Sequence, residues 1–156
     1  MEKGNRLYEE ARTLWSHGEV SLAIEKYREA LDTQQLYDLR RLLLVANTMS
    51  DLGYLLMDSE PADGAEKLRA AVEIRLHIVG PHEPLTLETR HNLGDALLKA
   101  GQKDEAESVF AETLALERER FGDQDPEVAI TLVRLAEVQV GLGKLTEAEP
   151  LIQELL

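Results

Sequence analysis

The sequence predicts an all-α fold in which antiparallel helix pairs stack side by side. Three observations predict it. Small residues and turn residues recur about every 42 positions along the chain. Between the turns, hydrophobic residues follow the spacing of helices that are apolar on one side. The composition is 44% hydrophobic but only 4% aromatic. Cores of small aliphatic side chains and alanine favour helix-on-helix packing over a β-sandwich or a barrel.

The repeat is visible in the positions of its smallest residues. Ala11, Gly53, Gly94 and Ala136 are separated by 42, 41 and 42 residues. A second series has the same step and comprises Ala23, Gly64, Ala106 and Ala148. The missing residue in the first series falls around 58–61, where a loop tolerates a deletion. The spacing predicts a single domain, 1–156, of about four units, approximately 3–36, 37–82, 83–124 and 125–156.

Each unit is expected to contain a first helix, A, and a second helix, B. In the first two units the A helices are predicted over 3–16 and 37–57, and the B helices over 20–32 and 62–79. The pair His17-Gly18 breaks the first unit, and the stretch from Pro61 to Gly64 breaks the second. Glycine and proline interrupt helices, so these positions predict tight turns between antiparallel neighbours.

The last two units carry turn and capping signals as well. Their A helices are predicted over 85–100 and 126–142, and their B helices over 103–121 and 146–156, with Gly101 and Gly143 in the turns. Asp125 before Pro126 is typical of an N-cap followed by the first helical residue. Asp104 and Thr146, each three residues before a glutamate, have the spacing of a capping box.

The small residues predict where the two helices of a unit cross. Glycine inside a helix costs about 1 kcal/mol relative to alanine, so Gly53 and Gly94 indicate a packing requirement. Either Gly64 or Ala65 could occupy the small-residue position of the second B helix. We favour Gly64, because it keeps the rest of that helix in register with the other units. Bulky residues four positions after the second small residue are expected to fill the adjacent groove, namely Tyr27, Leu68, Phe110 and Ile152.

This pattern resembles the tetratricopeptide repeat (TPR). The matching positions are the small residue of each A helix, the small residue of each B helix and the bulky residue that follows it. The usual period of that family is 34 residues. The longer period here, with a Gly-x-x-x-Pro link at 80–84 and 122–126, is similar to the repeats of kinesin light chains. The resemblance implies a right-handed superhelix whose A helices line the concave surface. It covers nearly the whole chain and is specific for fold more than for function.

No catalytic or metal-binding pattern stands out in the sequence. The four histidines do not show the convergence of three or four ligands that zinc requires, and glycine-rich phosphate loops and Gly-x-Ser-x-Gly elbows are absent. Glu117 and Glu119 alternate with arginines, which predicts a solvated face with local ion pairs. The sequence therefore predicts no cofactor, no metal and no enzymatic activity.

The concave surface that the resemblance implies supplies the candidate binding residues. Counting from the small residue of each A helix gives a row of polar, charged and aromatic side chains. Tyrosine and arginine are favoured at interfaces, and asparagine can pair with a peptide backbone. The predicted groove residues are Tyr8, Arg12, Asn47, Ser50, Tyr54, His91, Asn92, Asp95, Arg134 and Glu137.

We therefore expect a non-enzymatic scaffold that binds a peptide or partner protein in this groove. Two alternatives remain open: a self-association module, and a regulatory TPR region of a larger protein. The net charge of −13 disfavours nucleic acid. The absence of cysteine and of any long apolar run indicates a cytoplasmic protein that does not enter the membrane. The last unit ends without a capping helix, which predicts either a homodimer through that unit or a continuing array.

Overall fold

The all-α fold is confirmed by a computed structural model, which describes residues 3–33 and 39–156. Within these ranges the chain forms helices and turns and no strand. The helices are α1 (Lys3–Ser16), α2 (Val20–Thr33), α3 (Leu39–Leu56), α4 (Pro61–Ile78), α5 (Pro84–Lys99), α6 (Lys103–Phe121), α7 (Pro126–Gly141) and α8 (Leu145–Glu154). The predicted boundary between the first two units, at 36–37, lies outside the described residues.

Each helix packs against the next one along the chain, from α1 on α2 through to α7 on α8, and α3 also contacts α5. Such nearest-neighbour packing is the organisation of a solenoid, in which every element is stabilised mainly by its sequence neighbours. The division into four units stays a prediction from the repeat spacing. None of the described helices combines the length and the apolarity that a membrane span requires.

Three of the four turns between paired helices lie where predicted, at His17-Gly18, Gly101 and Gly143. The prediction for the second unit was wrong, because Pro61 to Gly64 form the first turn of α4 and the turn lies at residues 57–60. Proline is well tolerated at the first position of a helix, so Pro61 marks a helix start and not a break.

Gly101 and Gly143 separate α5 from α6 and α7 from α8, with φ angles of 78° and 76°. Only glycine adopts this left-handed conformation without a steric cost. In the turn after α5, the backbone N–H of Gln102 donates to the carbonyl oxygen of Leu97 at 2.9 Å, which closes the helix end.

The capping predictions were right at one helix and wrong at two. Asp125 caps α7, and its side chain accepts from the N–H of Glu127 at 2.9 Å. Asp104 and Thr146 are not caps, because α6 and α8 begin at residues 103 and 145, immediately after the short glycine turns. Both residues therefore lie in the first helical turn, and the hydroxyl of Thr146 contacts Glu147 instead of the backbone.

The close helix crossings occur at the predicted glycines. A Cβ atom on Gly53 would lie 2.7 Å from Cγ of Leu68 and 2.8 Å from the carbonyl oxygen of Gly64. Conversely, a Cβ atom on Gly64 would lie 2.8 Å from the carbonyl oxygen of Gly53. These contacts are far shorter than van der Waals distance, so α3 and α4 pack backbone against backbone. Gly64, and not Ala65, is the crossing residue of this pair.

Three of the four predicted groove-filling residues are completely buried: Tyr27, Leu68 and Phe110. The fourth prediction was wrong, because Ile152 is 43% exposed. Its neighbour Leu151 packs against the core, whereas Ile152 lies on a side of α8 that no described helix covers. Tyr27, Leu68 and Phe110 lie on helices that pack between two neighbouring helices, whereas α8 packs on α7 alone among the described helices.

Candidate functional site

A concave feature on the predicted groove surface lies between α5 and α7, with α6 as its floor. Its volume is about 550 Å³. One face of α5 contributes residues at positions 84, 87, 88, 91 and 95, and one face of α7 contributes residues at 127, 130 and 134. We call it the acidic pocket, and it is lined by Pro84, Leu87, Glu88, His91, Asp95, Glu117, Phe121, Glu127, Ile130 and Arg134.

A hydrogen-bonded group lies at the bottom of this pocket. Nε2 of His91 is 2.7 Å from Oε1 of Glu117, and the hydroxyl of Thr131 donates to Oε2 of the same carboxylate at 2.5 Å. An ionised carboxylate only accepts, so Nε2 of His91 is the donor of this bond when Glu117 is ionised. The three side chains tie α5, α6 and α7 together at the floor of the pocket.

The prediction that Glu117 belongs to a solvated face was wrong, because Glu117 is only 1% exposed. The sequence did contain the necessary signal. Phe110, Thr113 and Leu114 precede it at spacings of seven, four and three residues and are all buried, so Glu117 falls on the buried side of α6. The alternation with arginines at 118 and 120 was misleading, because residues that are adjacent in sequence point to different sides of a helix. It therefore does not show which side of α6 is exposed.

One group of described residues has the composition of a metal site. The possible ligand atoms of His91, Glu117 and Glu127 all lie within 4.8 Å of one another. However, both oxygens of Glu117 already accept hydrogen bonds from His91 and Thr131. The arrangement therefore satisfies its buried carboxylate with protein donors, as buried polar groups require.

A second cavity of about 400 Å³ adjoins the acidic pocket toward α3. Asp95 and Arg134 line both cavities, and Tyr54 lies on the far side of the second one. Arg134 is held by two carboxylates, with its Nε 3.6 Å from Asp95 and its NH1 3.5 Å from Glu137. The structure thus brings together the predicted residues Tyr54, His91, Asp95, Arg134 and Glu137 along α3, α5 and α7.

The aromatic residues of α1 and α3 extend this surface. The ring of Tyr54 is 47% exposed, and its centroid lies 5.8 Å from that of Trp15, which the sequence analysis did not select. Arg12 is exposed, with its guanidinium 5.8 Å from the ring centroid of Tyr8. Tyr8 itself is buried against Tyr27, and this burial raises its pKa to about 12.

The remaining predicted residues are occupied within the protein or only partly accessible. Asn47 is half-buried, and its carbonyl oxygen accepts from the buried guanidinium of Arg75 at 2.8 Å. Ser50 is buried, with its hydroxyl 3.5 Å from that of Thr89. Asn92 is half-buried on α5. Residues that pair inside the helix stack in this way have less freedom to bind a ligand.

Comparison with known proteins identifies related repeats. Two sequence models of the tetratricopeptide repeat match the chain, one over residues 44–119 and the other over residues 91–156. Together they cover all the described residues from the middle of α3 onward. No curated protein sequence matches the chain.

Solved structures share the same fold. One is a putative kinesin light chain from Podosopora anserina with nearly identical TPR-like repeats. It is 22% identical, with a TM-score of 0.80, and the match covers 99% of this chain and 75% of that one. Another is BtubC (BKLC) from P. vanneervenii, 18% identical with a TM-score of 0.83, covering 97% of this chain and 61% of that one. At these identities the likeness establishes the fold.

Proposed function

Because the chain belongs to the tetratricopeptide repeat family, we propose that it is a non-enzymatic scaffold for a partner protein. It binds an extended segment of that partner along the inner faces of α3, α5 and α7. The observation that carries this proposal is the pair of adjoining cavities that share Asp95 and Arg134 as lining residues. A surface that runs across three helices lets several weak contacts act on one ligand.

The side chains along this surface suit a protein ligand. Tyr54 on α3 and Ile130 and Val133 on α7 are exposed hydrophobic residues beside charged groups. Large aromatic side chains with polar neighbours are typical of the residues that dominate binding energy at protein interfaces. The overall charge of −13 opposes binding to a phosphate backbone, so nucleic acid is not the proposed partner.

The hydrogen-bonded group in the acidic pocket supports binding more than catalysis. Thr131 is fully buried and its hydroxyl already donates to Glu117, so it is not positioned to attack a substrate. No described hydroxyl in the pocket is exposed beside the imidazole of His91, as a nucleophile next to its base would be. We therefore propose no enzymatic activity and no cofactor. We also propose a cytoplasmic location, on the separate ground that the sequence contains no cysteine.

The proposal makes a prediction for Tyr54. Replacing Tyr54 with alanine should weaken binding of a groove-bound peptide by about 1–2 kcal/mol, because an exposed aromatic ring near the centre of the surface loses its contacts. Peptides selected from a random library on the wild-type protein provide the ligand, and isothermal titration calorimetry measures the affinity. Thermal unfolding should change little, since the ring is half exposed.

Glu73→Ala is the matched control for this experiment, because Glu73 is exposed on α4, away from both cavities. Arg28 on α2 is less suitable, because it pairs with Glu60 and Asp63 of the neighbouring helix pair at 3.3 and 3.7 Å. If Glu73→Ala abolished binding while Tyr54→Ala had no effect, the inner surface would not be the binding site.

A second candidate function is self-association through α8. Leu145 and Ile152 on this helix are 63% and 43% exposed, and Leu155 immediately after it is 37% exposed. Exposed apolar side chains that no described helix covers are a site for further packing. Another copy of the chain would bury these side chains by contact between the two α8 helices.

The oligomeric state tests this second candidate. If α8 mediates a dimer, Ile152→Glu should convert the dimer to a monomer in size-exclusion chromatography with light scattering, because a charge would be buried without a partner. The exposed control Glu149→Gln on the same helix should leave the dimer intact. A wild-type protein that is monomeric at high concentration would contradict self-association and leave groove binding as the function.

A further inference from the structure

The charges around the acidic pocket are unbalanced. Four carboxylates line it, from Glu88 and Asp95 on α5, Glu117 on α6 and Glu127 on α7. The cationic groups in the lining are already engaged: Arg134 pairs with Asp95 and Glu137, and His91 is hydrogen-bonded to Glu117. The pocket therefore carries an excess of negative charge that the protein itself does not neutralise.

Two of the four carboxylates are accessible from solvent. Glu88 and Glu127 are both exposed, and they lie on opposite walls of the pocket, on α5 and α7. Neither carboxylate forms an ion pair within residues 3–33 and 39–156, although the charge of Glu88 interacts at longer range with that of the buried Arg75. Glu127 lies in the first turn of α7. Both carboxylates are thus available to a positive group that enters from solvent.

The rest of the lining is apolar. Leu87 is buried in the wall, and Phe121 and Ile130 are 38% and 51% exposed at the rim. A lysine or arginine side chain combines an aliphatic stem with a charged end, and such side chains lie with the stem on apolar surface and the charge among polar groups. The volume of about 550 Å³ accommodates one such side chain together with a neighbouring apolar residue.

An acidic or a wholly apolar ligand would fit this pocket less well. An acidic segment would meet four carboxylates, and like charges close together repel. A wholly apolar segment would cover Glu88 and Glu127 without giving them a partner, and a buried carboxylate without a partner is costly. In addition, the net charge of −13 raises the local concentration of basic partners before contact.

We propose that the acidic pocket binds a lysine or arginine side chain, flanked by apolar residues, in an extended segment of the partner protein. This inference rests on the proposed function, since it names the chemistry of the segment that the inner surface holds. The charged end lies between Glu88 and Glu127, and the stem and the flanking residue contact Phe121 and Ile130.

A random 12-residue peptide library displayed on phage and selected on the wild-type protein tests the proposal. The selected peptides should share a lysine or arginine next to aliphatic or aromatic residues. Synthetic versions should bind the double variant Glu88→Gln with Glu127→Gln about tenfold more weakly, and their affinity for the wild type should fall as salt is raised. Fluorescence polarisation of labelled peptides measures both effects.

The control variant carries Glu25→Gln with Glu73→Gln, which removes two exposed carboxylates from α2 and α4 and changes the net charge equally, from −13 to −11. It should bind the peptides as the wild type does. Selection of acidic or neutral peptides that lose affinity in Tyr54→Ala would overturn the acidic-pocket proposal and leave the scaffold function intact. Peptides that bind equally to all of these variants, or the failure to select any peptide, would overturn both proposals.

Discussion

Gly53→Ala should lower the free energy of unfolding by about 1–3 kcal/mol, although alanine is the better helix former. The added Cβ atom would lie 2.8 Å from the carbonyl oxygen of Gly64 and 2.7 Å from Cγ of Leu68. Leu68 is completely buried and the carbonyl belongs to the backbone of α4, so the two helices must move apart. The loss of packing along this crossing exceeds the gain of about 1 kcal/mol in helix propensity.

The control for this prediction is Gly141→Ala in the last turn of α7. A Cβ atom there would have only Nζ of Lys103, at 3.7 Å, within contact distance. Gly141→Ala should therefore be neutral or stabilising by up to about 1 kcal/mol. Urea denaturation of both variants gives the comparison. Equal stability of Gly53→Ala and Gly141→Ala would contradict the close crossing of α3 and α4.

Phe110→Ala should have the largest effect on stability, about 3–5 kcal/mol. Phe110 is completely buried, its ring packs on Gly94, and its centroid lies 6.3 Å from that of His91. Truncation leaves a cavity between α5 and α6 that rigid helices cannot close. Phe121 is the control on the same helix, because it is 38% exposed and its replacement by alanine should cost much less.

A double-mutant cycle tests the same contact from the other side. A Cβ atom on Gly94 would overlap the ring of Phe110, lying 2.7 Å from Cε1 and Cε2, so Gly94→Ala alone should be destabilising. In a Phe110→Leu background the smaller side chain leaves room for the methyl group, and Gly94→Ala should cost less than in the wild type. Additive effects of the two substitutions would mean that Gly94 is not required for the packing of the Phe110 ring against α5.

The fold was predictable because its requirements recur in the sequence. Gly53 and Gly94 are unfavourable in helices on their own, and their recurrence at a fixed spacing showed that packing requires them. Glycines in the turns and Asp125 before Pro126 also act locally, so they marked helix ends within a few residues. The predictions that Asp104 and Thr146 are N-caps were wrong because the spacing of a capping box does not fix where the helix begins. After the glycine turns, both helices begin earlier than that spacing suggested.

The site was less predictable, because it depends on contacts between helices that are distant in sequence. Repeat counting placed Tyr54, His91 and Arg134 on one surface, and the structure groups them there. It could not show that Ser50 and Tyr8 are buried against neighbouring helices. The pairing of His91 with Glu117 joins residues 26 positions apart, and the depth of Glu117 depends on how α5 and α7 cover α6.

Chemical-shift mapping by NMR shows whether a peptide binds on the inner surface of the helix stack. A library-selected peptide is titrated into the isotope-labelled protein, and the backbone amide shifts are followed. We expect the largest changes to cluster on α3, α5 and α7 around Tyr54, His91 and Arg134, with small changes on the outer faces of α2, α4 and α6. Changes concentrated on those outer faces, with the amides around the two cavities unaffected, would contradict it.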